Sequence, residues 1–367
     1  MSKVFFTDLR TSPKRSLLNK IEDLLNRLRA DAIIGKDDIV AIKVHFGEKG
    51  NTAYLRPVIL RTIVERVKRA GAKPFLTDTN TLYTGSRSDA VNHFTTAIEN
   101  GFDYSCTGCP IIIADGLRGK DGVKVPVRGE VLKKVSIADG IAEADGMIVV
   151  THFKAHELSG FGGALKNLGM GCATKEGKLA QHSTVAPKIS ADACKGCKTC
   201  LEYCPAKAIT VYGRKASINE GKCIGCGECL IVCPSQAIRI EWNESQDLFQ
   251  KKMVEHALGA LAGKEKKTLF LNFLLQISPA CDCYPNSDAP IVRDIGILAS
   301  NDPVSIDAAS CDLVNSEESI PKTAIKKPLK RGEDKWRALY PAIDWNIQLD
   351  HAEKLGLGER KYTLVKI

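Results

Sequence analysis

The chain has 367 residues, of which 44% are hydrophobic and 26% charged, and its formal net charge is +9 at pH 7. This length and composition indicate a folded protein with a sizeable core rather than a disordered chain. No apolar run approaches the roughly 20 residues of a membrane span, the start MSKVFFTDLR lacks the pattern of a signal peptide, and aromatic residues for base stacking are few. We therefore expect a cytoplasmic protein with no membrane span and no nucleic-acid partner.

Helices and strands alternate in the predicted elements of the first part of the chain. In chain order these are an amphipathic helix from Thr11-Ser12-Pro13 to Gly35, a strand from Ile39 to Phe46, a helix from Pro57 to Ala70 closed by Gly71, and a strand from Lys73 to Asp78. A strand, helix and strand in succession imply parallel pairing through a right-handed crossover.

Later β-prone runs continue this pattern. They lie at Pro110 to Ala114, Gly146 to Thr151, Thr268 to Leu275 and Asp294 to Ala299, and a helical stretch covers Asp247 to Ala262. The predicted fold class is α/β, with a mostly parallel sheet and flanking helices.

Two cysteine runs, CKGCKTCLEYCP from Cys194 and CIGCGECLIVCP from Cys223, share two-two-three spacing and a closing proline. This order is typical of proteins that bind two [4Fe-4S] clusters, in which three cysteines of one run and the last cysteine of the other hold each cluster. The first cluster would take Cys194, Cys197, Cys200 and Cys233, and the second would take Cys223, Cys226, Cys229 and Cys204. Two zinc sites or four disulfides are the alternatives, but zinc knuckles pair CxxC units at longer separation and disulfides do not persist in a reducing cytosol.

The two runs form an internal repeat, because CPAKAI from Cys204 corresponds to CPSQAI from Cys233. This duplicated unit interrupts the α/β pattern instead of following it. We therefore predict a discontinuous α/β domain (residues 1–187 and 243–367) with an inserted small α+β ferredoxin-like domain (residues 188–242), called the insertion below.

Polar residues follow the predicted strands, and ligands of open parallel sheets bind beyond the carboxyl ends of the strands. The five segments in question are His45 to Glu48, Asp78 to Asn80, His152 to His156, the loop with Cys281 and Cys283, and Asn301 to Asp307. Among them, His45 and Asp78 are candidates for cofactor binding.

The segment THFKAHELSGFGGALKNLGMGC begins at Thr151 and is the richest of these. His152, Lys154 and His156 alternate and would share one face of an extended backbone, so they are candidate catalytic residues together with Lys166. The three glycines that follow would let the backbone cradle an anionic group, with Lys166 as counter-charge; they are Gly160, Gly162 and Gly163. The alternative is that the glycines only make a turn and the histidines occupy hydrogen-bonded core positions.

Three cysteines outside the insertion, Cys172, Cys281 and Cys283, are candidates for an additional metal site or for reaction with a substrate. The alternative is that each is a small buried hydrophobic residue. Sequence alone does not separate these interpretations.

The motifs KVHFGE, TDTNTLY, THFKAHELSGFGGALKNLGMGC, the insertion and SNDPVSID occur in that order. With them the chain resembles the domain-of-unknown-function 362 family of iron–sulfur proteins over nearly its whole length. The resemblance implies an α/β body, an inserted two-cluster ferredoxin module and an enzymatic or redox-partner role. The helix start Leu55-Arg56-Pro57 is also similar to that of nickel-dependent lactate racemases, from which no residue role is transferred.

The leading hypothesis is a cytoplasmic iron–sulfur oxidoreductase that takes electrons from a redox partner protein and passes them to a substrate or cofactor in the α/β cleft. His152 and His156 would be acid–base groups or metal ligands, and Lys154 and Lys166 would hold a small anionic substrate. Two alternatives remain open, a non-catalytic carrier or adaptor in electron transport and a maturation factor that handles metal or clusters.

Overall fold

The computed structural model describes residues 1–83, 85–183, 186–223, 227–240 and 244–367. Its strands are β1 (Ser2–Asp8), β2 (Ile39–Lys43), β3 (Lys73–Asp78), β4 (Ile111–Ile113), β5 (Gly122–Pro126), β6 (Lys134–Ala138), β7 (Gly146–His152), β8 (Lys154–His156), β9 (Gly160–Gly162), β10 (Lys188–Ile189), β11 (Ile209–Tyr212), β12 (Lys215–Ile218), β13 (Ile238–Arg239), β14 (Thr268–Leu274), β15 (Gly296–Ser300) and β16 (Tyr362–Lys366). Its helices are α1 (Leu17–Arg27), α2 (Ala30–Ile33), α3 (Pro57–Arg69), α4 (Ala90–Glu99), α5 (Tyr104–Thr107), α6 (Asp139–Ala142), α7 (Ala164–Gly169), α8 (Lys175–His182), α9 (Thr199–Glu202), α10 (Glu228–Val232), α11 (Gln246–Leu261), α12 (Pro303–Asn315), α13 (Lys335–Leu339) and α14 (Asn346–Lys354).

Eight strands form the central sheet in the order β16-β1-β15-β14-β7-β2-β3-β4. β15 runs antiparallel to both of its neighbours, and every other adjacent pair in this sheet is parallel. The protein is therefore a mixed α/β protein with a large, mostly parallel sheet flanked by helices, which confirms the coarse fold prediction. None of the described helices combines the length and apolar character that crossing a membrane requires.

The sheet separates two hydrophobic cores. Successive side chains of β7 alternate between them, because Met147 and Val149 pack into one core and Ile148 and Val150 into the other. Helices α7, α11 and α12 cover the first face, and α1 and α3 cover the second. A strand that is buried on both faces explains the uninterrupted apolar run in its sequence.

The sequence signals for helix ends predicted the ends of α3 correctly and the ends of α1 incorrectly. Helix α3 begins at Pro57 and is followed by Gly71 in the left-handed region (φ +83°), as predicted. Helix α1 begins later than predicted, because the Ser16 hydroxyl accepts a hydrogen bond from the Asn19 N–H and caps the helix there. The predicted single helix is also broken at Arg29, which has a left-handed backbone (φ 57°).

The reversed direction of β15 corrects one expectation about the cleft. Residues after β15 emerge at the amino ends of the other strands, so Asn301 and Asp302 do not join the cleft at the carboxyl ends. Asp302 instead accepts hydrogen bonds from the Ser2 hydroxyl (2.7 Å) and the Glu359 N–H (2.9 Å). Its side chain also caps α12.

The insertion has its own small core and closely spaced ends. Strands β10 and β13 pair antiparallel with Lys188 opposite Arg239, so the chain enters and leaves the described part of the insertion at adjacent points. Cys200, Ile209, Cys229 and Ile238 form a core separate from the two cores of the sheet. The predicted boundary at residue 242 lies outside the described residues.

Candidate functional site

Polar side chains from four parallel strands meet beyond the carboxyl ends of the sheet. These side chains lie at the ends of β2, β3 and β7 or in the loops after β2, β7 and β14. Most of them are buried, namely Lys43, Glu48, Asp78, His152, Lys154 and Asp282, and His45 is partly exposed. The Glu48 N–H donates to the Asp282 carbonyl (2.9 Å), which joins the loops after β2 and β14. The convergence expected for a parallel sheet is therefore present for these residues.

Asp78 lies between two buried cations. Lys43 Nζ is 3.0 Å from Asp78 Oδ1, and the Arg87 guanidinium is 3.4 Å from Asp78 Oδ2 and 3.1 Å from Glu48 Oε2. Burial opposes ionisation, but Lys43 and the other nearby cationic groups hold the pKa of Asp78 well below its usual range. Both carboxylate oxygens are engaged within the protein, so Asp78 orders the loops around it. No pattern in the sequence had pointed to Arg87 as a partner of Asp78.

His152 and Lys154 share one partner, Asp282. His152 Nδ1 is 2.9 Å from Asp282 Oδ2, and His152 Nε2 is 2.8 Å from the Leu275 carbonyl oxygen. Lys154 Nζ lies 3.1 Å from Asp282 Oδ2 and donates to the His152 carbonyl (2.9 Å). Both ring nitrogens of His152 face acceptors, an arrangement that a ring protonated at both nitrogens satisfies.

The charges of this group favour an ionised Asp282. Burial opposes ionisation, but His152 and Lys154 hold the pKa of Asp282 well below its ordinary value. The alternation at His152 and Lys154 was predicted correctly as a shared face. Their contacts hold the loop that carries Asp282, so they act first as positioning residues.

Cys281 is a buried sulfur beside a lysine. The Lys166 ammonium donates to Cys281 Sγ (3.2 Å). The neighbouring Cys283 thiol lowers the pKa of Cys281 well below its ordinary value through a hydrogen bond, against the effect of burial and with help from Lys166 and Lys154. The same interaction raises the pKa of Cys283.

His156 lies on the Lys166 side of the site and not with His152. Its Nδ1 is 2.9 Å from Ser159 Oγ, and its ring stacks on Phe249 with centroids 6.1 Å apart. Burial, together with the nearby charge of Lys166, lowers the pKa of His156 well below its usual value. Neighbouring Glu157, which sequence reasoning did not single out, accepts from the Tyr284 hydroxyl (3.1 Å), and burial raises its pKa.

The Asp307 carboxylate fills the position beside the glycine segment where an anionic group was expected. The Ala164 and Leu165 N–H groups, at the start of α7, donate to Asp307 Oδ1 (2.7 Å) and Oδ2 (2.9 Å). A Cβ on Gly163 would lie 2.3 Å from Asp307 Oδ1, and one on Gly160 (φ +76°) would lie 2.5 Å from the Trp345 Cβ. Gly162 faces Lys166, whose Cδ would be 3.1 Å from such an atom. The Ala164 and Leu165 amides, which directly follow the glycines, are therefore bonded to Asp307.

A cavity of about 210 Å³ lies beside His152, at the carboxyl ends of β1 and β14. Its lining includes Tyr54, Arg56, Leu275, Gln276 and Asp294. The Leu275 carbonyl that bonds His152 belongs to this lining, so the cavity and the Asp282 group share a wall.

The four cysteines of the first predicted cluster lie around one cavity in the insertion. Cys194, Cys197, Cys200 and Cys233 line it together with Lys195 and Lys198. Burial, and then the nearby sulfurs of the other three cysteines, raise the pKa of Cys200, which independently places the four sulfurs close together. The arrangement fits a set of thiolate ligands that share a positively charged centre.

The second predicted set is described in part. Cys204 and Cys229 pack against the small core of the insertion, Cys223 is partly exposed, and Cys226 lies outside the described residues. Cys204 Sγ accepts from the Ala208 N–H and Cys233 Sγ from the Ala237 N–H, both at 3.3 Å. The same backbone bond to sulfur thus occurs in both copies of the repeat.

The additional metal expected near Cys172, Cys281 and Cys283 stays a prediction. Cys172 is buried, and its Sγ is 3.9 Å from the Asn167 carbonyl oxygen. Among the described residues, no hydrogen bond joins Cys172 to Cys281 or Cys283. Across the described ranges, no three His, Cys, Asp or Glu side chains converge on a point where one ion would sit. A cubane cluster spreads its four thiolates over four irons and does not need such a point.

The insertion comes close to a cleft loop at its second cysteine run. A Cβ on Gly227, which the residue itself lacks, would lie 3.5 Å from Leu82 Cδ1, so the two residues are neighbours. Leu82 is buried in the loop that begins at Asp78. The second run therefore lies against the loop that leads to the charged group of Asp78.

The fold and the cysteines define a mixed α/β protein with a cysteine-rich insertion. The chain matches the family model "Domain of unknown function (DUF362)" over residues 40–312 and belongs to this family. No curated protein matches it.

Among solved structures, the chain is similar to the lactate racemase apoprotein from Thermoanaerobacterium thermosaccharolyticum. The identity is 13%, the TM-score is 0.38, and the match covers 74% of this chain and 50% of that one. The chain thus spans about half the length of this solved structure.

Proposed function

We propose that the protein is an iron–sulfur oxidoreductase in which the insertion is a ferredoxin-like module. The module holds two [4Fe-4S] clusters and passes electrons to the site at the carboxyl ends of the sheet. The observation that carries the proposal is the grouping of Cys194, Cys197, Cys200 and Cys233 around one cavity, since these are the cysteines that the spacing assigns to one cluster.

The second cluster is assigned to Cys223, Cys226, Cys229 and Cys204. Two features support it, the repeated N–H to sulfur bonds at Cys204 and Cys233 and the internal sequence repeat. Bound clusters supply one-electron transfer, and backbone N–H groups that face the sulfurs tune their potential.

The proximity of Gly227 to Leu82 supports a direction for electron transfer. In this proposal the second run lies nearer the cleft, and a redox partner would approach the first run, whose cavity is lined in part by Lys195 and Lys198. Lys154 and Lys166 are cations of the cleft that would attract a small anionic substrate. The cavity beside His152 has room for such a molecule.

The experiment that tests this function is metal analysis of protein purified without air. We expect about eight irons and eight sulfides per chain, and two interacting clusters in the electron paramagnetic resonance spectrum after reduction. Cys197→Ser should lose about half of the iron, whereas Cys106→Ser, a partly exposed cysteine outside the insertion, should keep all of it. Iron retained in full by Cys197→Ser, or zinc in place of iron, would contradict the proposal.

A further inference from the structure

We propose that Cys281 and Cys283 form a dithiol–disulfide couple that receives electrons from the insertion and gives them, two at a time, to a small disulfide. The electron source in this proposal rests on the proposed function. The couple itself rests on the geometry of the loop after β14.

The backbone holds the two cysteines at a spacing that a disulfide can bridge. The Tyr284 N–H donates to the Cys281 carbonyl (3.1 Å), which closes a turn over residues 281–284. Consecutive Cα atoms are about 3.8 Å apart, so the bend of this turn brings the Cα atoms of residues 281 and 283 into the disulfide range of roughly 4.4–6.8 Å. The opposite pKa shifts of the two thiols, each caused first by the other, also indicate that their sulfurs are neighbours.

The surroundings give the two sulfurs different roles. Lys166 donates to Cys281 Sγ, while the nearby negative charge of Asp282 is balanced by His152 and Lys154. Cys281 is therefore the thiolate and Cys283 the thiol, as their opposite pKa shifts also indicate. A thiolate paired with a neighbouring thiol is the state from which thiol–disulfide exchange proceeds.

The exchange balances without a further co-reactant. The Cys281 thiolate attacks one sulfur of the small disulfide, the S–S bond of that molecule breaks, and its first thiolate leaves. Cys283 gives its proton to the thiolate that left first and attacks Cys281 Sγ, the mixed disulfide breaks, and the second thiolate leaves. Two electrons have then passed to the acceptor, and the protein holds an intramolecular disulfide.

Recovery needs two electrons and one proton. In this proposal the two clusters that the insertion would hold would supply one electron each. The Cys281–Cys283 bond breaks, Cys283 takes the proton, and Cys281 returns to the thiolate beside Lys166. Cys281 is buried and Cys283 only partly exposed, so a disulfide on the surface of a folded protein would not reach the pair, and the acceptor proposed is a small disulfide that enters past Cys283.

The couple is tested by equilibrating the full-length, iron-loaded protein in glutathione redox buffers without air. Acid quenching, alkylation and peptide mass analysis then report the state of the peptide that carries residues 281 and 283. We expect this peptide to gain an internal disulfide as the buffer becomes oxidising. A dithiol at every buffer ratio, or a stoichiometric zinc or nickel ion that Cys281→Ser releases, would overturn the couple.

The assignment of the thiolate has its own test. Alkylation of Cys281 at pH 7 should be about tenfold or more slower in Lys166→Met, because each unit of pKa changes the thiolate fraction of a thiol tenfold. The matched control is Lys188→Met, an exposed lysine of the insertion, which should leave the rate unchanged. Equal rates in Lys166→Met and the wild type would overturn the role of Lys166.

The electron source is tested separately from the couple. A photoreduced deazaflavin should reopen the Cys281–Cys283 disulfide quickly in the wild type and about tenfold or more slowly in Cys197→Ser. Equal rates, with iron analysis showing clusters in the wild type, would overturn the link between insertion and couple. Absence of iron from the wild type would instead overturn the proposed function, while the glutathione result would still decide the couple.

Discussion

Asp282 is the residue on which the cleft depends most. Its carboxylate is buried, contacts His152 and Lys154, and lies between the two cysteines of the proposed couple. Removing one member of a buried charge group leaves the others without a partner, which costs more than the group itself contributes. A change at this position should therefore affect stability and the thiol chemistry together.

We predict that Asp282→Asn lowers the free energy of unfolding at pH 7 by about 3–5 kcal/mol, because Lys154 loses its buried counter-ion and His152 loses a carboxylate partner. Denaturant unfolding measures the change. Asp288→Asn, an exposed position in the same loop, is the matched control and should lie within about 0.5 kcal/mol of the wild type.

The difference between the wild type and Asp282→Asn should also depend on pH. The pKa of Asp282 is lower in the folded protein than in the unfolded chain, so its contribution is fully present above the unfolded value of about 3.9 and is lost as the pH falls below it. The difference in unfolding free energy should stay constant from pH 7 to about pH 5 and should decrease between about pH 4 and pH 3. A constant difference over this range would count against an ionised Asp282.

Sequence reasoning found His152 and Lys154 because alternation along a strand is a local pattern. It did not find that both contact Asp282, which is 130 residues from His152, since such a pairing depends on which strands become neighbours. Arg87 and Glu157 were missed for the same reason. His156 belongs to the same alternation but turns toward Phe249, because the chain leaves β7 and enters the β8–β9 hairpin between His152 and His156.

At the scale of elements, the start of helix α7 is an internal anchoring point. Asp307 from α12 accepts from two N–H groups of α7 and from the Asn272 side chain (2.8 Å) on β14. Gly163 is required because any side chain there would occupy the place of the Asp307 carboxylate. Asp307 thus joins α7, α12 and β14, and Gly163 leaves the space that its carboxylate occupies.

We predict that Gly163→Ala lowers the free energy of unfolding by about 1–3 kcal/mol, since its Cβ would displace Asp307 from the start of α7. Thermal or denaturant unfolding measures the loss. Gly221→Ala is the control, because its nearest neighbour would be 3.4 Å away and its φ is not positive. Equal stability of the two variants would show that Asp307 does not depend on the space at Gly163.

The limits of sequence reasoning are clearest at β15. The apolar run predicted a strand close to its actual position, from Gly296 to Ser300. The direction of the strand was not predictable, because it depends on whether the chain after β14 crosses to the other end of the sheet or returns at the same end. Leu274 pairs with Gly296, so the chain returns at the same end. Asn301 and Asp302 were assigned to the cleft on the assumption of a parallel strand and lie at the opposite edge.

At the scale of the whole molecule, the ends of the insertion lie side by side. Ile189 pairs with Ile238 in an antiparallel ladder, so removing what lies between them leaves two residues that a short turn can join. Loop closure at this distance costs little conformational entropy.

We predict that replacing residues 190–237 by an Asn-Gly turn yields an α/β body that unfolds cooperatively, since no described residue of the insertion belongs to the cores of the sheet. Circular dichroism during heating measures this. The variant should bind no iron and should keep the Cys281–Cys283 couple in glutathione buffers. Loss of cooperative unfolding would show that the insertion is part of the folding unit.

The order of strands in the sheet also constrains how the protein folds during synthesis. β7 ends at His152, but its neighbour β14 begins only at Thr268, after the whole insertion. Until then, the partial sheet of β2, β3, β4 and β7 presents an open and apolar edge, which is the kind of edge that promotes aggregation of nascent chains. β1 remains without its sheet neighbours longer still, because its partners β15 and β16 come after β14 in the chain. Slow translation between residues 152 and 268 should therefore reduce the yield of folded protein more than slow translation after residue 300.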